Sequence, residues 1–330
     1  PREVLSDTTR YEYFLSQTVV IPRYIALLIF PVFQNIDHHI QMPHSFFSPE
    51  VLSGIAIIIL LLSAAVYLYR KGRLLFSFSI LWFFSVIILR SSVLPISDLM
   101  TERRLYTAVF SLGLLIPLIW LFFIDRIRSR SKNRNISIII LGIITLLYAS
   151  ACFQRNRVWK NDLTLWTDSV SKSGRKYRPN YNAAKAFKAH GDIEKAQKYY
   201  LRALQINPNS YGACNNIGNI YAEQNKSEEA EKYFNRALEI NPYYVRAMNN
   251  LANLYFQDKE YSKAQKYYLS AIKIDNNFAE AYQNLAILYL ITGNYEHALR
   301  NYRRVIKLDP NNSQAQKYIK ILEDKLKTGD

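Results

Sequence analysis

The feature that most constrains this chain is a period. Residues 177–312 repeat every 34 residues, four times over, without an insertion. With Tyr177 as position 1, position 8 is small in every unit (Ala184, Gly218, Ala252, Ala286), and position 20 is always alanine (Ala196, Ala230, Ala264, Ala298). Position 11 is aromatic (Phe187, Tyr221, Tyr255, Tyr289), as is position 24 (Tyr200, Phe234, Tyr268, Tyr302). Position 32 is proline in three units (Pro208, Pro242, Pro310), with Asn276 in the other. A unit of this length cannot bury its apolar face alone, so neighbouring units must stack. The small residues let two antiparallel helices approach closely, and the aromatics fill the space around them. The proline ends the second helix so that the next unit can start. Residues 313–327 continue as a capping helix, polar on one face, with Tyr318, Ile319 and Leu322 on the other.

This spacing and these positions are the tetratricopeptide pattern. In such a solenoid the first helix of each unit lines the concave face. Position 6 there is asparagine in all four units: Asn182, Asn216, Asn250 and Asn284. Position 9, one turn on and on the same helix face, gives Lys185, Asn219, Asn253 and Ile287. A carboxamide offers both a donor and an acceptor, so it pairs with a peptide backbone whatever the side chains are. We therefore expect Asn182, Asn216, Asn250 and Asn284, with Lys185, Asn219 and Asn253, to bind a protein or peptide. The row resembles the asparagine ladder in the repeats of O-GlcNAc transferase. The alternative is that these asparagines bond neighbouring helices or are simply solvated.

The other half of the chain is different in kind. Half of the residues are hydrophobic, yet the mean hydropathy is only −0.10, because an Ile/Leu/Phe-rich part precedes a polar one. A membrane helix needs about 20 mostly apolar residues. Four segments qualify: 50–69, 74–93, 105–124 and 136–153. The run at 18–33 is broken by Pro22, Arg23 and Pro31, so we expect an interfacial or re-entrant helix there. The expected fold is all-α: polytopic transmembrane helices followed by a tetratricopeptide-repeat α-solenoid. Its parts are an outer-side loop with an interfacial helix (1–48), four transmembrane helices (49–153), a junction helix (154–176), four repeats (177–312) and a capping helix (313–330). The chain opens at Pro1 with no basic-apolar leader, so we read it as the C-terminal part of something longer.

The net charge is +16, but no nucleic-acid-binding motif accompanies it, and no nucleic-acid partner is expected. Much of the excess sits in short loops beside apolar runs. The 70–73 loop has three bases and no acid, and the 125–134 loop has five bases and one acid. Basic short loops stay cytoplasmic. That places residues 1–48, the 95–104 loop and the repeats on the outer side, in periplasm or endoplasmic-reticulum lumen. The two cysteines, Cys152 and Cys214, match no metal spacing. Asp37, His38, His39 and His44 form a polar group whose spacing also matches no defined metal site, so no metal is assigned; Asp37 and His38 are expected to line an outer cavity.

The membrane half resembles a family. "RYIALLIFPVFQNIDHHIQMPHSFFSPEVL" (23–52), "SSVLPISDLMTERRLY" (91–106) and "QRNRVWKNDLTLWTDSVSKSG" (154–174) are similar, in order, to blocks of the transmembrane and tetratricopeptide-repeat proteins and their bacterial relatives. The resemblance implies a membrane glycosyltransferase of the GT-C type, similar to the protein O-mannosyltransferases, with a polyprenyl-phosphate sugar as donor and no other cofactor. Whether a divalent metal takes part is left open. That family's acidic catalytic motif lies nearer the N-terminus, so no catalytic residue is assigned here. The resemblance makes Glu102, Arg103, Arg104 and Tyr106 the expected donor-phosphate site. Arginine presents a planar donor fork to phosphate oxygens, and Glu102 would orient it. The alternative for these four is an interfacial cluster at lipid headgroups. The alternative for the whole chain is a non-enzymatic, membrane-anchored repeat scaffold.

Overall fold

The computed structural model describes residues 10–29, 35, 37, 38, 43, 45–90, 110, 115, 116, 118, 119 and 131–328. The described residues form helices and connecting turns, with no strand among them. The chain divides into two compact units, Pro1–Pro179 and Asn180–Asp330.

In the first unit, α1 (Arg10–Ile29), α2 (Pro49–Arg70) and α3 (Leu74–Arg90) pack together. Their shared core is Val20, Ile21, Tyr24, Leu27 and Leu28 of α1 against Phe83, Phe84 and Ile87 of α3, with Ile58 and Leu61 of α2 packed on it. The expected interfacial helix at 18–33 is therefore longer toward the N-terminus than its apolar run. The polar residues before that run are helix-compatible, and the Ser16 hydroxyl donates to the Glu12 carbonyl at 2.8 Å. Pro22 lies inside α1. It has no N–H to give to the carbonyl four residues back, that of Thr18. α2 comes in at that same carbonyl: a Cβ on Gly54 would collide with the Thr18 oxygen and lie 2.8 Å from its carbon. Only glycine permits this approach.

α2 is 22 residues long, with Pro49 in its first turn, Glu50 near its N-terminus and Arg70 in its last turn. Each suits its end of the helix. At 1.5 Å per residue it is about 33 Å long, the thickness of a bilayer core. Ile57, Ile59, Leu60 and Val66 stay exposed along it. Among the described residues it is the one helix long and apolar enough to cross a membrane; the apolar stretch of α3, Leu74–Ile87, is shorter. The expected span at 136–153 falls within α4 (Ser131–Val158), which exposes Ile139, Ile143, Leu146, Leu147 and Phe153. Most of the expected span at 105–124 lies outside the described residues.

The expected junction helix at 154–176 is two pieces. Residues 154–158 finish α4, and α5 runs Asp162–Ser173. Asn161 makes the break, because its side chain accepts from the Thr164 amide at 2.8 Å while the Thr164 hydroxyl faces the Asn161 amide at 3.4 Å. This reciprocal pair is a capping box, which starts a helix.

Nine helices of the repeat half follow: α6 (Tyr177–Ala189), α7 (Ile193–Ile206), α8 (Tyr211–Glu223), α9 (Ser227–Ile240), α10 (Val245–Gln257), α11 (Tyr261–Ile274), α12 (Ala279–Ile291), α13 (Tyr295–Leu308) and α14 (Ser313–Thr328). Each repeat is one helix pair. The alanines at position 20 and at position 8 are fully buried, and the position-24 rings are buried beside them. In the second repeat the space is tighter, since a Cβ on Gly218 would lie 2.6 Å from the Phe234 ring. The turn between the two helices puts position 15 in the left-handed region every time: Gly191 (φ 81°), Asn225 (φ 59°), Lys259 (φ 61°) and Gly293 (φ 78°). α14 closes the stack with Ala315 and Leu322 in the core, and its Tyr318 ring stacks on Tyr302 at 5.2 Å.

Candidate peptide-binding groove

The asparagines at position 6 share one arrangement. Asn216 Nδ2 donates to the Tyr181 hydroxyl at 3.1 Å. Asn250 Nδ2 donates to Asn215 Oδ1 at 2.9 Å. Asn284 Nδ2 donates to Asn249 Oδ1 at 3.1 Å and to Asn253 Oδ1 at 3.0 Å. Each thus reaches back to position 5 of the preceding repeat. Asn182 belongs to the first repeat, and its side chain makes no hydrogen bond among the described residues. The alternative reading, that these asparagines bond neighbouring helices, accounts for one N–H of Asn216, one of Asn250 and both of Asn284. The oxygens of Asn216, Asn250 and Asn284 take no part in it.

The position-5 partners were not singled out by sequence reasoning. Their signal is the doubled polar pair at the centre of each first helix: Tyr181-Asn182, Asn215-Asn216, Asn249-Asn250 and Gln283-Asn284. Asn215 and Asn249 are buried, at 4% and 1% exposure, whereas the position-6 side chains are half-buried and reachable. Asn249 also donates to Glu280 Oε1 at 3.0 Å. Room for Tyr181 comes from Gly212, where a Cβ would lie 3.3 Å from the phenol oxygen. Burial pushes the Tyr181 phenol above its ordinary pKa, against a smaller opposing pull from the Asn216 bond.

At position 9, Asn219 is half-buried and makes no side-chain hydrogen bond among the described residues. Asn253 accepts from the Tyr268 hydroxyl at 2.5 Å as well as from Asn284. Lys185 is exposed. Asn219, Asn250 and Asn253 meet in a cleft of about 260 Å³ between α8 and α10, with Glu223 and Gln257 at its edge and Phe234 reaching it from α9. Glu223 is ion-paired to Lys188 at 2.7 Å. The cleft therefore offers both amide N–H groups and amide oxygens, with the Asn253 oxygen already taken, and its one lining carboxylate is paired. Cys214, fully buried, has its thiol pushed up by burial, so it is no nucleophile.

In the first unit Asp37 is buried and takes the Lys176 ammonium at 2.6 Å. Beside it Asn35 Nδ2 donates to Ser173 Oγ at 2.8 Å, so this loop is tied to the end of α5. His38 is half-buried. Glu102, Arg103, Arg104 and Tyr106 lie outside the described residues, as do His39 and His44. Among the described residues no group of three His, Cys, Asp or Glu side chains is placed to hold a metal.

Family models described as tetratricopeptide repeat match residues 181–245, 215–277 and 279–312. The chain is similar to the protein O-mannosyl-transferase TMTC3 of Mus musculus and of Homo sapiens, 26% identical to each over 133 residues. That match covers 40% of this chain and 14% of the relative's length. Among solved structures it is similar to MamA (20% identity, TM-score 0.39, 43% of this chain and 82% of that one). It is also similar to YrrB, described as a repeat protein with an unusual peptide-binding site (16% identity, TM-score 0.40, 61% of this chain and 97% of that one). From 181 to 312, then, the chain is a run of tetratricopeptide repeats.

Proposed function

We propose that the repeats hold an extended polypeptide along the row of first helices, with the asparagines at positions 6 and 9 on its backbone. The observation that carries this reading is the aligned row of half-buried carboxamides, anchored at one arm and open at the other. A side-chain-independent contact at each repeat suits a ligand of varied sequence. The sharpest test is Asn219→Ala, because Asn219 lines the cleft yet supports no neighbour. Binding of a fluorescein-labelled Ala/Ser/Thr peptide, followed by anisotropy, should weaken about two- to tenfold, the worth of one neutral hydrogen bond. Amide-exchange protection of α8 should stay parental. Unchanged affinity would remove the cleft from the binding site.

A second reading adds chemistry to this one. In it the polypeptide is the acceptor of a membrane glycosyltransferase that takes its sugar from a polyprenyl-phosphate donor. The similarity to TMTC3 and the membrane blocks that precede the repeats support it. The donor phosphate would be gripped by Arg103 and Arg104, with Glu102 and Tyr106 orienting them, at an outer membrane surface that also places the repeats outside. Arg104→Ala in the full-length enzyme should raise the KM for the lipid-linked sugar far more than that for the acceptor. Arg104→Lys should restore only part, because an ammonium lacks the bidentate fork. Parental donor KM in both Arg103→Ala and Arg104→Ala would make this strip an interfacial anchor and no donor site. Sidedness is read by labelling a cysteine at Ser227 in intact cells with an impermeant thiol reagent; labelling only after the membrane is opened would reverse the orientation.

A further inference from the structure

The row of first helices does not stop at the fourth repeat. Counted in the same 34-residue period, Ser313 is position 1 of a fifth unit, and α14 packs as its first helix. Ala315 and Leu322, at positions 3 and 10, are buried, as are Ala247 with Leu254 and Ala281 with Leu288 in the two repeats before it. Gln283 Nε2 donates to Gln314 Oε1 at 3.2 Å, from position 5 to position 2 of the next unit. Asn249 makes the same step to Glu280. So α14 sits on α12 as α12 sits on α10, and it turns the same positions to the groove.

The chemistry at those positions changes along the row. The amide cleft is lined by positions 9, 12 and 13 of α8 and by positions 6, 9, 10 and 13 of α10. Between α12 and α14 the corresponding residues are Ile287, Leu290 and Ile291, then Tyr318, Ile321 and the buried Leu322. The last of the set, Lys325, holds its ammonium over the Tyr295 ring, 4.8 Å from the centroid. Position 9 thus runs Asn219, Asn253, Ile287, Ile321. Ile291 is 55% exposed and Ile321 48%, while Ile287, Leu290 and Tyr318 pack on the core beside them. Such a contiguous aliphatic face gains free energy when an apolar group covers it.

We propose that the face between α12 and α14 is an apolar subsite of the groove, which takes an aliphatic side chain of the polypeptide whose backbone lies in the amide cleft. The same helix positions carry the row from cleft to face without a break, and that continuity makes one polypeptide the occupant of both. The proposal rests on the peptide-groove reading above and narrows the ligand. From cleft to face is two helix spacings, about 20 Å, so the aliphatic residue stands about six residues from the segment in the cleft. The amide stretch accepts varied sequence, and this end selects.

The full chain in phosphatidylcholine nanodiscs, which leave no free detergent to fill the face, is titrated with three labelled Ala/Ser/Thr peptides of one length. They are the parent, a form with leucine near its N-terminus and a form with leucine near its C-terminus. At least one leucine form should bind about tenfold more tightly than the parent. Ile321→Ser should abolish that gain, Ile321→Met should keep it, and the parent peptide should bind all three proteins alike. Ile321 is exposed, and parental amide exchange in α12 and α14 checks that the serine variant stays folded. If the parent peptide responds to Asn219→Ala but both leucine forms bind no tighter than it, the subsite is overturned and the groove stands. A leucine gain that survives both Ile321→Ser and Ile291→Ser also overturns the subsite. A gain that needs Ile321, in peptides indifferent to Asn219→Ala, makes the face a separate site, and the groove reading falls with the continuity. If sedimentation finds two chains per disc in the parental protein and one in Ile321→Ser, a second copy covers the face and the proposal fails.

Discussion

Replacing Asn249 by alanine should loosen the third and fourth repeats. The side chain is 1% exposed and holds two bonds, Nδ2 to Glu280 Oε1 at 3.0 Å and Oδ1 from Asn284 Nδ2 at 3.1 Å. Glu280 is exposed and regains water when released, and Asn284 keeps its bond to Asn253. The loss is therefore that of two ordinary bonds, about 1 kcal/mol each, and about 2 kcal/mol together. At about 1.4 kcal/mol per decade, local opening becomes roughly 30-fold more frequent. Hydrogen exchange read by mass spectrometry should show that acceleration in α10 and α12, with α6 and α7 unchanged. Asn249→Asp should be worse than alanine at neutral pH, since it sets a second carboxylate against Glu280, and it should recover in acid as one of the pair takes a proton. Exchange in α10 and α12 within about threefold of the parent would show that the inter-repeat bonds contribute nothing.

Lys259→Gly should stabilise the third repeat by about 0.5–1 kcal/mol, because it relieves a side chain held in the left-handed region at φ 61°; no rise in the urea midpoint would refute this. Gly54→Ala should strip protection from α1, because the new methyl meets backbone at Thr18, which cannot rotate away; parental exchange in α1 would contradict the close approach. The repeats should weaken in alkali. Burial raises the phenols of Tyr255, Tyr268 and Tyr302 in the folded state, whereas in the unfolded chain they ionise near pH 10. Above about pH 10 the unfolded state therefore holds fewer protons, so stability present below that pH falls as pH rises. Tyr268→Phe should flatten the fall by one group, as seen in urea midpoints against pH; an unaltered slope would show that Tyr268 does not titrate on unfolding.

The repeats were legible in the sequence because their period is a packing rule written four times. Ala196, Ala230, Ala264 and Ala298 can be small for one reason only, and all four are fully buried. The groove was half legible. Position 6 stood out as an invariant asparagine, but a lone side chain does not say which of its arms is used. That answer lies in Asn215, Asn249 and Glu280, which come from different helices. The helix α1 was misjudged because hydropathy ends where Arg10–Gln17 begins, while helicity does not; Pro22 looks like a breaker until Gly54 is seen to occupy the carbonyl it frees. The junction at 154–176 read as one helix because its capping box, Asn161 with Thr164, puts threonine where the usual signature has Glu or Gln.

The most direct test of the central claim is where a bound polypeptide lies. A photoreactive amino acid is placed in the full chain at Asn219 or Gln257, in the cleft, and at Lys198 or Gln205, which line a separate hollow on α7. Each variant is irradiated with the labelled Ala/Ser/Thr peptide. Cross-linking confined to the Asn219 and Gln257 variants, and suppressed by excess unlabelled peptide, is the predicted result. Equal cross-linking from Lys198 and Gln205, or none from the cleft at saturating peptide, would contradict it.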